Sequence, residues 1–175
     1  MHSVEIFTAL TESDLRQLAT LLVDVVDDGA SVSFLPPLAR EDALAFWRRQ
    51  QLADGGAFVI ARDPDDDRID GVVMLVPAWA PNQRHHAEVA KLLVHPRARR
   101  RGLANTLMQA LEDHAERAGF SLITLDTWRD GAADALYRAR GFVAVGAIPD
   151  YAKLADGRLC DTVIFYKRLS PRSAR

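Results

Sequence analysis

Arg99-x-x-Gly102-x-Ala104 lies between an apolar run ending at Val94 and an amphipathic stretch beginning at Leu103. A glycine turn that opens a helix leaves several backbone N–H groups unpaired at the positive end of the helix dipole. Such a turn is suited to a phosphate or pyrophosphate. Arg97, Arg99, Arg100 and Arg101 can add charge-assisted contacts to an anion. Two alternatives stand beside this: Arg99 braces the turn, or the cluster is an exposed basic loop. One basic cluster without flanking aromatics or a broad basic face is a poor nucleic-acid footprint, so no nucleic-acid partner is expected.

The elements that must hold this turn follow from hydrophobic periodicity. Residues 4–10 read as a strand. Thr11 or Ser13 caps a helix on which Leu15, Leu18, Leu22, Val25 and Val26 recur at helical spacing. Pro36 and Pro37 exclude a helix over 31–37, and a second helix spans 40–52. Residues 57–62 and 69–76 form a hairpin of strands around the acidic turn 63–67. A loop covers 77–84, and 87–94 is the strand that leads into the glycine turn. The next helix carries Leu103, Leu107, Leu111, His114 and Ala118 on one face and stops at Gly119. A buried strand at 121–127, a helix from Asp130 or Gly131 to Arg140, and strands at 142–148 and 163–169 complete the chain.

The 175 residues fit one domain with a sizeable core, expected over 1–175, since no linker divides them. The N-terminus has no basic region followed by an apolar one, so no secretory signal is expected. No apolar run spans a bilayer, so no membrane partner is expected. The lone Cys160 cannot form an internal disulfide and points to the cytoplasm. No Cys/His cluster has zinc spacing, and no metal is expected. The net charge of −2 hides an asymmetry. Residues 1–80 carry 6 basic and 14 acidic side chains, a net of −8; the remainder carries 16 and 10, a net of +6. A basic C-terminal half suits an anionic cofactor and an acidic N-terminal half a cationic amine, or the surface charges are merely segregated.

In order along the chain come Leu92-Leu93-Val94-His95-Pro96, the Arg99-x-x-Gly102-x-Ala104 turn and its helix, the strand through Leu122–Thr127, and Ala135-Leu136-Tyr137-x-x-x-Gly141-Phe142. This set resembles the GNAT superfamily of acyl-CoA-dependent N-acetyltransferases, most strongly over 85–145. The resemblance implies an α/β fold with a mixed sheet of about seven strands and about four helices. Strands 4 and 5 would be parallel and splayed around the cofactor. The segments 30–38, 87–96, 125–127 and 148–159 are more narrowly similar to the tabtoxin-resistance acetyltransferases, which acetylate the amino group of a small β-lactam amino acid. The implied reaction moves an acetyl group from acetyl-CoA to the primary amine of a small molecule, in a ternary complex, by a monomer or homodimer, as in antibiotic or toxin resistance. The alternatives are a protein or peptide amine as acceptor, or a non-catalytic acyl-CoA-binding module.

The resemblance also assigns residues. Backbone groups of Leu92, Leu93 and Val94 would pair with the pantetheine arm. Amides from Arg100 and Arg101 through Gly102, Leu103, Ala104 and Asn105 would hold the pyrophosphate. Tyr137 would donate to the leaving sulfur, unless it is a core tyrosine. Glu88, 11 residues before Arg99, would be the base, unless it is a surface glutamate. On a strand, Glu88, Ala90 and Leu92 share one face if no bulge intervenes. Asp126 would be a second carboxylate in the cleft, raising a neighbour's pKa, or else a cap. Asp130 stands where many relatives have an asparagine against pantetheine, or it is a helix N-cap. No lysine or metal is indicated for the oxyanion. Ser33, Phe34 and Trp79 would line the acceptor pocket, although Phe34 and Trp79 are equally suited to a core.

Overall fold

The computed structural model describes residues 2–170; Met1 and residues 171–175, at the two ends of the expected domain, lie outside them. The chain runs β1 (Ser3–Phe7), α1 (Glu12–Asp27), α2 (Arg40–Arg48), β2 (Ala57–Arg62), β3 (Ile69–Pro77), β4 (His86–Val94), α3 (Leu103–Arg117), β5 (Leu122–Trp128), α4 (Ala132–Ala139), β6 (Val143–Lys153) and β7 (Leu159–Arg168). The seven strands form one sheet in the order β1-β2-β3-β4-β5-β7-β6. Every neighbouring pair is antiparallel except β4–β5, which is parallel. This is the mixed sheet with four helices that the sequence led us to expect.

Local chemistry sets the helix ends. Thr11 and Asp14 form a reciprocal capping box at the start of α1. Asp14 then pairs with buried Arg62 of β2, tying the helix start to the sheet. α2 stops four residues earlier than expected. There the Gln50 side-chain amide donates to the Phe46 carbonyl at 2.9 Å, satisfying a last-turn acceptor. β6 and β7 are longer than expected because an irregularity between Ile148 and Ala152 absorbs Pro149, and the strands then meet in a turn closed by Leu154 N–H donating to Arg158 O.

The core has two layers, one on each face of the sheet. Leu18, Leu22, Val25 and Val26 of α1 and Trp47 of α2 pack on Phe58, Ile60, Val72, Met74 and Leu93. Leu107, Met108 and Leu111 of α3 and Tyr137 of α4 pack on Val59, Val73, Val89, Ile123 and Phe165. α3 lies close to β3: a Cβ at Gly71 would sit 2.8 Å from Leu107 Cδ1. Ala118, expected on the buried face of α3, is exposed, and Ala115 occupies the core position instead.

Candidate active site

The parallel pairing of β4 with β5 is brief. His86, Ala87 and Glu88 oppose Leu122, Ile123 and Thr124, and pairing ends there. Beyond Glu88, β4 keeps only β3 as a neighbour and β5 keeps only β7. A wedge therefore opens between them, with the rest of β4 along one side as an unpaired edge.

β4 also contains a bulge. Met74 opposes Ala90 while Val72 opposes Leu93, so β4 carries one extra residue, and Lys91 there has a φ of 52°. The consequence is a change of phase. Ala90 and Lys91 both turn to the α1–α2 face, whereas Leu92 joins the α3–α4 layer with Val94. The expected common face of Glu88, Ala90 and Leu92 is thus broken at Leu92 by the bulge.

The glycine turn follows immediately. Arg100 and Gly102 have φ of 61° and 80°, and Gly102 is the N-cap of α3 without a side-chain cap bond. Left-handed residues in such a turn curl the backbone into a concave nest of N–H groups. Backbone N–H groups from Arg100 to Asn105 donate to nothing among the described residues. The Arg99 guanidinium is committed elsewhere: Nε donates to Val94 O at 3.1 Å and Nη1 pairs with Asp28 at the end of α1. Arg99 therefore braces the turn, one of the two alternatives its position left open. Arg97 is likewise held by Asp70. Arg100 and Arg101 are exposed and in no ion pair among the described residues. Asn105 Oδ1 accepts from Arg140 at 2.6 Å, and Arg140 forms a two-pronged contact with buried Glu112 at 2.9 Å. Free amides, two free guanidinium groups and an adjoining bare strand edge together fit a pyrophosphate followed by an extended pantetheine arm.

Four ionisable groups lie on or near the wedge: three on its α1–α2 face, and Tyr137 within the α3–α4 core, near enough to feel the charge of Asp126. Glu88 and Thr124 are register partners in parallel strands, so their side chains share a face; Asp126, two residues on, lies on that face too. Thr162 of β7 donates to Asp126 Oδ2 at 2.9 Å, so Asp126 is anchored across the sheet and is not a helix cap. Glu88 is solvent-exposed by area, as the surface alternative had it, yet desolvation by its neighbours, and then the Asp126 charge, push its carboxyl above its ordinary range, against a smaller pull from Lys91. Tyr137 comes from the opposite face, packed edge-on to Phe142 with ring centroids 5.6 Å apart. Burial and then the charge of Asp126 raise its phenol well above the usual value, so it stays protonated. Its hydroxyl has no hydrogen-bond partner among the described residues. Two carboxylates on one face and a neutral phenol from the other suit a reaction that removes a proton on one side and supports a leaving group on the other.

The fourth group, Lys91, is one that the sequence pattern did not single out. Its Nζ donates to Ser33 Oγ at 3.0 Å and stands 6.0 Å and 5.5 Å from the ring centroids of Phe34 and Phe46. Burial lowers its pKa, with Asp126 and Glu88 opposing. A signal was present: simple alternation puts Lys91 in phase with Val89 and Leu93, both buried, and a charge on a buried face calls for a bulge.

Ser33 and Phe34 thus meet the wedge through Lys91. Trp79 does not. It is 92% exposed in the connection before β4, at the end where β4 is still paired with β5. Asp130 is not the N-cap of α4; Gly131 holds that position, and Asp130 is exposed with a φ of 61°. The buried Asp134 carboxylate accepts from Asp130 N–H instead. His2, Asp63 and Asp70 come close enough together to ligate a cation, but Asp70 is already met by His2, Arg97 and Arg68.

The family profile described as "Acetyltransferase (GNAT) family" matches residues 23–142. The chain belongs to the GNAT acetyltransferase family. Acetyl-CoA is accordingly its acetyl donor. The chain is 32% identical over 130 residues to an uncharacterised N-acetyltransferase from the hisH-hisA intergenic region of Azospirillum brasilense, covering 71% of this chain and 74% of that protein. Its fold is similar to that of yncA from Salmonella typhimurium, solved with its cofactor acetyl-CoA, with a TM-score of 0.76 and 21% identity over 98% and 96% of the two chains. It is equally similar in fold to a ribosomal-protein-alanine N-acetyltransferase from Brucella melitensis, with a TM-score of 0.75 and 23% identity over 94% and 99%. No helix among the described residues is long and apolar enough to cross a membrane.

Proposed function

We propose that this GNAT protein acetylates the primary amine of a small molecule by direct attack on acetyl-CoA in a ternary complex. The observation that carries the reading is the two-sided arrangement at the wedge: Glu88 and Asp126 border it on one face of the sheet, and Tyr137 lies in the core on the other, near enough to feel the charge of Asp126. A thioester lying in that wedge meets the amine on the carboxylate side and keeps its sulfur toward the phenol.

An acceptor ammonium loses one proton to Glu88, directly or through water. The free amine attacks the thioester carbonyl, so a C–N bond forms as the C–S bond breaks. The second nitrogen proton ends on the sulfur, and CoA leaves as a thiol. The elevated pKa of Glu88 makes it a stronger base than an ordinary carboxylate. The phenol, held neutral, hydrogen-bonds to the departing sulfur. Backbone N–H groups of Leu92 or Leu93 on the free edge serve the developing oxyanion. Pantetheine pairs along Leu92, Leu93 and Val94, and the pyrophosphate sits on amides 100–105. Cys160 is buried, which withholds it from an acyl-carrier role. The lone free thiol fits a cytoplasmic setting.

A free-thiol assay with acetyl-CoA tests the reading against amino acids, β-lactam amino acids, polyamines, aminoglycosides and lysine peptides. CoA release with at least one small-amine class is expected. Activity confined to lysine peptides would replace the small molecule with a protein acceptor. Tyr137→Phe should lower kcat by roughly tenfold with acetyl-CoA affinity retained, because only the hydrogen bond to sulfur is lost. Acetyl-CoA binding without thiol release across the whole panel would instead mark a non-catalytic acyl-CoA-binding module.

A further inference from the structure

Lys91 is a charged group that the acetyl-transfer chemistry does not use. Its ammonium borders the wedge on the same face as Glu88 and Asp126. The bulge puts it there; in a regular strand it would point into the α3–α4 layer. Phe34 and Phe46 flank the ammonium and Ser33 Oγ accepts one of its three N–H donors. No carboxylate pairs with it among the described residues, although two carboxylates lie near enough to be felt.

A half-buried ammonium fixed by two rings and a hydroxyl, with two donors left over, is prepared for an anion. A simple amine gains nothing from it, because a second cation in the pocket is repelled. An acceptor that carries a carboxylate as well as an amine satisfies all the groups present. Its ammonium faces Glu88 and Asp126, and its carboxylate faces Lys91. We infer that Lys91 is a specificity residue that binds the carboxylate of the acceptor, so that the acceptor class is amino acids. The inference rests on the small-amine reading above and narrows it.

Matched acceptors that differ only in the carboxylate test it: leucine against isoamylamine, phenylalanine against phenethylamine, and δ-aminovalerate against butylamine. The expected result is a preference of about tenfold or more in kcat/KM for the carboxylate-bearing member of at least one pair. Lys91→Met should collapse that ratio toward one, chiefly by raising KM for the amino acid. Lys91→Arg should keep part of it. The ratio is an internal control, since any effect of Lys91 on the basicity of Glu88 acts on both members alike. Equal use of both members, a preference for the plain amines, or equal losses in Lys91→Met would overturn the inference while leaving acetylation of small amines standing. Failure to acetylate any amine, with acetyl-CoA binding intact, would overturn both.

Discussion

The two regions that border the wedge are built in opposite ways. Residues 92–105 present backbone. The N–H groups of 100–105 donate to nothing among the described residues, two left-handed residues shape the turn, and Arg99 is spent on bracing it. The other region presents side chains from scattered places. Ser33 and Phe34 come from the connection after α1, Phe46 from α2, Lys91 from a bulge, and Asp126 from β5. A backbone site tolerates most side-chain changes but not a change in conformation. A side-chain site tolerates small conformational shifts but depends on each group. This difference suits a constant donor and a variable acceptor.

Substitutions can perturb one region and leave the other alone. The largest effect is expected from Glu88→Gln, which removes the proposed base while sparing the backbone site. kcat/KM for the amine should fall by roughly a hundredfold or more with acetyl-CoA affinity nearly unchanged in calorimetry. A parallel loss of cofactor affinity would show that the two regions are not separable. Gly102→Val tests the other side. An empty space surrounds the position, so any effect comes from the φ of 80° alone. A left-handed β-branched residue costs about 1–2 kcal/mol, so acetyl-CoA should bind about tenfold more weakly while the choice among amines is unchanged.

The smallest and most specific effect is a pH shift. Glu88 ionises above its ordinary range partly because Asp126 is also negative. Activity that needs the Glu88 carboxylate therefore rises with pH through that elevated value. Asp126→Asn removes the like charge, Glu88 holds its proton less tightly, and the acid limb of kcat/KM should move to lower pH. A limb that stays in place or moves up would mean that Asp126 does not act on Glu88 in the working enzyme.

Much of the donor side is legible in the sequence. The turn needs a glycine where φ is positive, the helix after it needs leucines at helical spacing, and both leave local marks along the chain. The same holds for element order and for Thr11 at the start of α1, whereas Glu88, Asp126 and Tyr137 are singled out by the family resemblance and not by local pattern. The acceptor side is less legible. Trp79 has the composition of a pocket residue, yet it projects into solvent at the paired end of β4. Lys91 escapes notice because regular alternation sends it elsewhere.

What is local follows from the order of residues: periodicity, caps, turns, and the chemical types of the candidate groups. Those depend on residues within one or two turns of each other. Long-range packing settles the rest. It sets where β4 and β5 part, which way the bulge turns Lys91, and that Arg99 reaches Asp28, 71 residues away. Each of these depends on what packs on both faces of a twisted sheet, a balance of contacts between segments far apart in the chain that no local pattern records.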